Sequence, residues 1–224
     1  MKTNASENVR LEDALWTRIE ALDEKSRSVM DLLVIAGAPL EQQVAALAAG
    51  LSFNEFSEIV ESLREQHLAR TGGVHKEDTV EPYHDRVRET ALLHRLGASE
   101  AELHRRLASA LVTSKSTDAE ALAFHFRGAG ELEKAGVFAE EAADQASHAL
   151  AFDRAARLYE LSLELRPDAD PGVQSALRVK LGEALANAGR GVDAAKAYLA
   201  AAPHRSGREA LDLARRAAEQ LLRS

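Results

Sequence analysis

Cysteine is missing from all 224 residues. That excludes a disulfide framework, thiolate zinc sites and cysteine nucleophiles, and it predicts a reducing, cytoplasmic setting. Aromatic side chains make up only 4% of the chain and prolines number five, so few bulky plugs or breakers interrupt it. Long apolar runs are lacking too: no stretch approaches the ~18 residues of a membrane span, and the opening MKTNASENVR has no signal-peptide core. No membrane partner is predicted. Positive charge is in deficit, with 28 Lys and Arg against 36 Asp and Glu and a net charge of −8. A deficit of that size argues against a nucleic-acid surface as the chain's main business.

What is abundant is alanine, with leucine, glutamate and arginine beside it. These are the strong helix formers, so the fold class predicted is mainly α. Two halves differ in grammar. Residues 1–10 are predicted disordered, residues 11–97 form a first domain and residues 98–224 a second.

In the first half, Leu11, Leu15, Ile19 and Leu22 make one helical stripe. Val29, Leu32, Leu33 and Ala36 make the next, ended by Gly37-Ala38-Pro39. Leu40 to Ala49 predicts a third helix, closed by Gly50. Ser52 with Glu55 three residues on spells a capping box, opening a helix whose apolar side is Phe56, Ile59, Val60 and Leu63. Two short extended pieces follow around Thr71-Gly72-Gly73, the second ending at Thr79–Tyr83. Helices followed by a β wing predict a winged-helix domain.

In the second half, Leu181-Gly182, Leu185, Gly189, Ala194, Tyr198 and Ala201 reproduce the tetratricopeptide (TPR) spacing. Ala155, Tyr159, Ser162 and Pro167 repeat it, and Leu122, Phe126, Gly130, Ala135 and Ala142 give a weaker third match. The expectation is a TPR-like α-α superhelix. On that phasing Ala176, Val179, Glu183 and Asn187 line a concave groove for a protein partner or ligand. The last helix, Gly207 to Arg223, aligns Leu211, Ala214, Ala218 and Leu221 on one face. That face reads either as the cut end of a longer array or as the surface of a helix folded back on the preceding hairpin.

Reactive chemistry is sparse. There is no G-x-x-x-x-G-K-[ST] loop, no G-x-G-x-x-G turn after a strand and no H-E-x-x-H. His84-Asp85-Arg86 is not the HRD of a protein kinase, and no DFG follows. No metal site is predicted: His94 and His104 lie beside arginines and read as solvated helix faces, as do Glu140 and Glu141. The helix after Ser52 carries Glu55, Glu58, Glu61 and Glu65 against Arg64, which would repel phosphates. His84 and Asp85 stand at a strand-to-helix junction. One reading is structural, with Asp85 favouring the helix dipole and His84 bonding locally. The other is functional, with an imidazole beside a helix N-terminus and arginines placed to touch a phosphate.

Taken in order, the first half with YHDRVRET, then AEALAFHFRGAGELEKA, ALAFDRAARLYELSLEL and ARRAAEQLLRS resemble one group. These are bacterial serine/threonine protein kinases fused to a STAND-type ATPase region. The resemblance runs from about Leu11 to Ser224. It implies a winged helix and the first TPR-like repeats, C-terminal to kinase and nucleotide-binding domains, in an array that continues. ATP or ADP with magnesium would then belong to the parent protein, with no cofactor and no catalysis in this chain. Its partners would be those upstream domains and a protein or ligand on the repeats. Tyr83-His84-Asp85 is also similar to the Met-His-Asp signature of plant-type immune-receptor ATPases, which implies His84 as a sensor of ADP and Asp85 as its structural partner. Tyr83 departs from that signature. Two other readings of the chain are a fragment of a STAND-type transcriptional regulator and a stand-alone TPR scaffold.

Overall fold

A computed structural model describes residues 14–93 and 100–223; the predicted disordered stretch 1–10, together with Leu11 and His94, lies outside them. The chain is mainly helical. It divides into two compact units, one closing at Ser116 and the other opening at Thr117. Among the described residues no helix is long and apolar enough to cross a membrane.

The first unit begins with α1 (residues 14–20) and α2 (Glu24–Ala36). Asp23 caps α2 by accepting from Ser26 N at 3.0 Å, and Gly37 ends it at φ 75°, a left-handed turn that glycine adopts without a Cβ clash. Leu15, Ile19, Leu22, Val29, Leu32, Leu33 and Ala36 are all buried, so both stripes face one core. The next helix, α3 (Gln42–Ala49), starts two residues later than the spacing predicts. Leu40–Glu41 is instead a strand, β1, paired antiparallel with Val80 and Thr79. Gln42 is buried behind it and donates to the carbonyls of Gly73 and His75, at 3.1 and 3.2 Å, which anchors the loop of the hairpin.

Helix α4 (Phe53–Glu65) carries the predicted capping box: Glu55 N donates to Ser52 Oγ and Ser52 N donates to Glu55 Oε2. Phe56, Val60 and Leu63 are buried, while Ile59 is only half-buried. β2 (Ala69–Thr71) and β3 (Thr79–Pro82) complete a three-stranded sheet in the order β1-β3-β2. Helix α5 (Asp85–Leu93) follows directly, and α6 (Glu100–Thr113) packs on α2 and α3. Arg106 of α6 donates to the carbonyl of Ala48 at 2.8 Å, closing the C-terminal end of α3. The sequence draws the domain line at 97/98; packing keeps α6 with the first unit. His104 is correspondingly a buried residue of α6, only 5% exposed, and not a solvated one.

The second unit is a run of antiparallel helices: α7 (Ala119–Gly128), α8 (Leu132–His148), α9 (Phe152–Leu165), α10 (Pro171–Asn187), α11 (Gly191–Ala201) and α12 (Gly207–Arg223). Three of its turns share one design. Glu131, Ala151 and Arg190 donate their N–H groups to the carbonyls of Phe126, Ala146 and Leu185, at 2.9, 2.9 and 2.8 Å. At the turn residue φ is 79°, 59° and 77° for Gly130, Leu150 and Gly189. Such a helix C-terminus, with its last carbonyls satisfied by the residues just beyond, sends the chain straight back. Measured from each turn, Ala135, Ala155 and Ala194 fall at one place, all buried, and Tyr159 and Tyr198 at another. The spacing was therefore legible, but the weak third match is no separate hairpin. It shares α8, which is the second helix of the α7–α8 hairpin and the first of the α8–α9 hairpin.

The core of this unit is largely alanine, with Leu158, Leu177, Leu181, Leu185, Tyr159 and Tyr198 between the close-set backbones. A Cβ on Gly182 would sit 2.5 Å from Tyr198 Cε1, so glycine there is what lets the ring pack close against α10. Buried hydroxyls are satisfied across the hairpins. Ser162 Oγ donates to Gly136 O at 2.8 Å and Ser175 Oγ to Ala201 O at 2.9 Å.

Candidate functional site

The predicted sensor residues lie where β3 runs into α5. Tyr83 N still donates to Leu68 O at 3.0 Å, prolonging the sheet ladder by one residue. His84 is then the capping residue of α5: its carbonyl accepts from Val87 N at 2.9 Å, and its Nδ1 accepts from Arg86 N at 3.3 Å. With Nδ1 committed as an acceptor, the neutral imidazole carries its proton on Nε2, which is left as a donor. Asp85 is the first helical residue, where a carboxylate suits the positive end of the helix dipole. Both side chains are exposed.

An open hollow of about 310 Å³ adjoins this junction, lined by Gly37, Pro39, Arg70, Tyr83, His84, Asp85 and Arg88 among others. Its charges are largely spoken for. Arg70 Nε pairs with Glu81 Oε1 at 3.0 Å, across the register that sets those two residues opposite each other. Arg88 Nε donates to Val34 O at 3.1 Å, tying α5 to the C-terminal turn of α2. Tyr83 meets His67 edge-on, ring centres 5.3 Å apart. The hollow thus brings together an imidazole donor, a helix N-terminus and two arginines with Glu81 and Asp85 beside them. It is a balanced rim, able to take a phosphate edge only where another surface supplies most of the neutralising charge.

The predicted groove residues all lie on α10, but they do not share one hollow. Val179 lines a depression of about 400 Å³ with Arg205, Arg208, Leu213 and Arg216. Asn187 lines a separate one of about 650 Å³ with Arg190, Gln220 and Arg223. Glu183 is exposed and its carboxylate accepts from Arg216 of α12 at 2.9 Å. Ala176 is half-buried. So Arg216 of α12 reaches across to the side of α10 that the spacing leaves free for a partner.

The cluster the sequence misses links α8, α9 and α10. Lys180 donates to Glu140 at 2.9 Å and to both oxygens of Asp144, at 3.0 and 2.9 Å. Tyr159 donates to Asp144 Oδ1 at 2.6 Å. Arg166, 8% exposed, pairs with Glu140 at 3.0 Å and Glu133 at 3.2 Å, its stem lying over Gly136. Glu140 is the hub of this network and not a solvating residue. Burial and then the Asp144 bond push the Tyr159 hydroxyl well above the usual tyrosine range. Burial works against the Lys180 ammonium, but the bonds to Asp144 and Glu140 outweigh it and hold its pKa above the ordinary value. Both groups are locked in their hydrogen-bonded forms near neutrality, which suits a fastener and not a proton carrier. Only partners 36 and 40 residues apart reveal Lys180, so no local motif could have found it.

Among the described residues no three His, Asp or Glu side chains are grouped to hold a metal. Comparison with known proteins returns no matching family model, no matching curated protein and no matching solved structure.

Proposed function

We propose that this chain is a non-catalytic regulatory and interaction module of a signalling ATPase, of the kinase-fused STAND kind its motifs resemble. In this reading the first unit is a winged helix: α2, α3 and α4 form the helical part and β2–β3 the wing. It restrains a neighbouring nucleotide-binding domain, which holds ADP or ATP with magnesium. The second unit is a TPR-like array that receives a protein partner or ligand. A partner that favours the released form would activate the ATPase by population shift, limited by its differential affinity for the two states.

The observation that carries the reading is the hydrogen bond from Arg86 N to His84 Nδ1, which fixes the ring at the start of α5 and reserves Nε2–H for an outside acceptor. The balanced charge of the hollow supports a contributory role. His84 reads a phosphate that another domain already holds.

The test is the release of a fluorescent ADP from the adjoining nucleotide-binding region, with this segment attached. His84→Ala is expected to speed release about tenfold, near the ~1.4 kcal/mol of one charge-assisted hydrogen bond, while the melting temperature falls by only a few degrees for the lost bond from Arg86 N. Unchanged release overturns the sensor role. A coding frame without a phosphate-loop motif beside this segment overturns the whole reading. The stand-alone scaffold alternative draws on one observation, the separate core of the second unit.

A further inference from the structure

Two arginines face the hollow beside His84, and they are not equivalent. Arg70 is neutralised where it stands, because Glu81 opposite it in the sheet pairs with its Nε. Arg88 is also held through Nε, but by the backbone carbonyl of Val34, which carries no net charge. Among the described residues Arg88 has no ion-pair partner, Asp85 three residues before it included. Its positive charge therefore stays available to the hollow.

The bond to Val34 also sets how that charge is presented. The last carbonyls of a helix have no partner within it. Val34, fully buried, is near the end of α2, and Arg88 Nε supplies the missing donor at 3.1 Å. This fixes the plane of a half-buried guanidinium and leaves Nη1 and Nη2 unbonded. Those two groups form the fork that grips two oxygens of one anion. His84 and Arg88 are four residues apart, so they share a face of α5. Both line the hollow, while Arg86 between them is not in its wall.

We infer that Arg88 is the residue that grips the phosphate in this hollow, and that the phosphate is the terminal one of a nucleoside diphosphate. A terminal phosphate offers three acceptor oxygens: the Arg88 fork takes two and His84 Nε2–H donates to the third. A phosphate inside a chain has too few free oxygens for both. The inference rests on the sensor reading of His84 and adds the positive charge that a neutral imidazole lacks. Because Nε stays on Val34 O, a phosphate held here also clamps the start of α5 to the end of α2.

NMR of the full chain titrated with inorganic pyrophosphate tests this through the Nε–H resonance of Arg88 and the ring resonances of His84. Both are expected to shift and to saturate at millimolar concentrations, while sodium chloride at matched ionic strength moves neither. Arg88→Lys keeps the charge but cannot serve Val34 O and the anion together. It is expected to weaken binding about fivefold by the His84 shifts, with the helical circular dichroism retained. His84 shifting without Arg88, or undiminished binding in Arg88→Lys, overturns the inference and leaves the sensor reading standing. Arg88 shifting without His84 overturns both, since the two then share no phosphate. Equal shifts with sodium chloride, or no shift at either residue, overturn the inference alone, and the sensor reading keeps its own test in His84→Ala.

Discussion

Leu150 shows how much one residue's backbone can decide. It holds the left-handed turn between α8 and α9 at φ 59°, with its side chain 72% exposed. The equivalent turns use Gly130 and Gly189. A side chain in this conformation costs about 1–2 kcal/mol, and an exposed leucine returns little by burial. Leu150→Gly is expected to stabilise the second unit by about 0.5–1 kcal/mol once the added freedom of the unfolded chain is counted. Urea unfolding monitored by circular dichroism would show it as a higher midpoint at unchanged slope. A leucine at such a turn is also why the sequence marks Gly130 and Gly189 as turns and gives no such signal at Leu150. The residue-scale signals that were legible, Gly37, Gly50 and the Ser52–Glu55 box, are those whose chemistry is complete within a few neighbours. Glu140 was illegible because its partners, Arg166 and Lys180, come from other helices. In the candidate site Asp85 at the head of a helix and a local bond for His84 were readable, while the partner of that bond, Arg86 N, was not.

At the scale of elements, β1 teaches the same lesson. Leu40 and Glu41 have no strand pattern of their own and are extended because Val80 and Thr79 lie opposite. A helix begun at Leu40 would forfeit that pairing. In the second unit the hairpins depend on close approach, and Gly182 against the Tyr198 ring is one such case. Gly182→Ala places a methyl against the Tyr198 ring and is expected to destabilise by about 1–3 kcal/mol. A Tyr198→Leu change in the same chain should recover part of the loss. A double-mutant cycle from thermal melts measures the coupling, and additive effects would mean that the ring and α10 are not in rigid contact.

For the whole molecule, two cores imply two cooperative units. One holds Met30, Leu32, Leu33, Phe56, Leu63 and Leu68, all fully buried. The other holds the alanine-rich cluster from Ala119 to Ala217. Phe56→Ala removes the largest fully buried side chain and is expected to lower stability by about 3–5 kcal/mol. Hydrogen exchange followed by mass spectrometry should show that loss confined to residues up to Ser116, with the amides from Thr117 onward keeping their protection. Equal loss in both units would mean that they unfold as one.

The double use of α8 bears on how such a chain can lengthen. One residue added inside it would rotate one of its turns by about 100° relative to the other, breaking the alanine seam on one side. The connections from α9 to α10 and from α11 to α12 have no shared turn to preserve. Tandem copying of hairpins, or grafting of foreign ones, therefore has its tolerant joints at those two connections, and α8 is the place where any such splice fails.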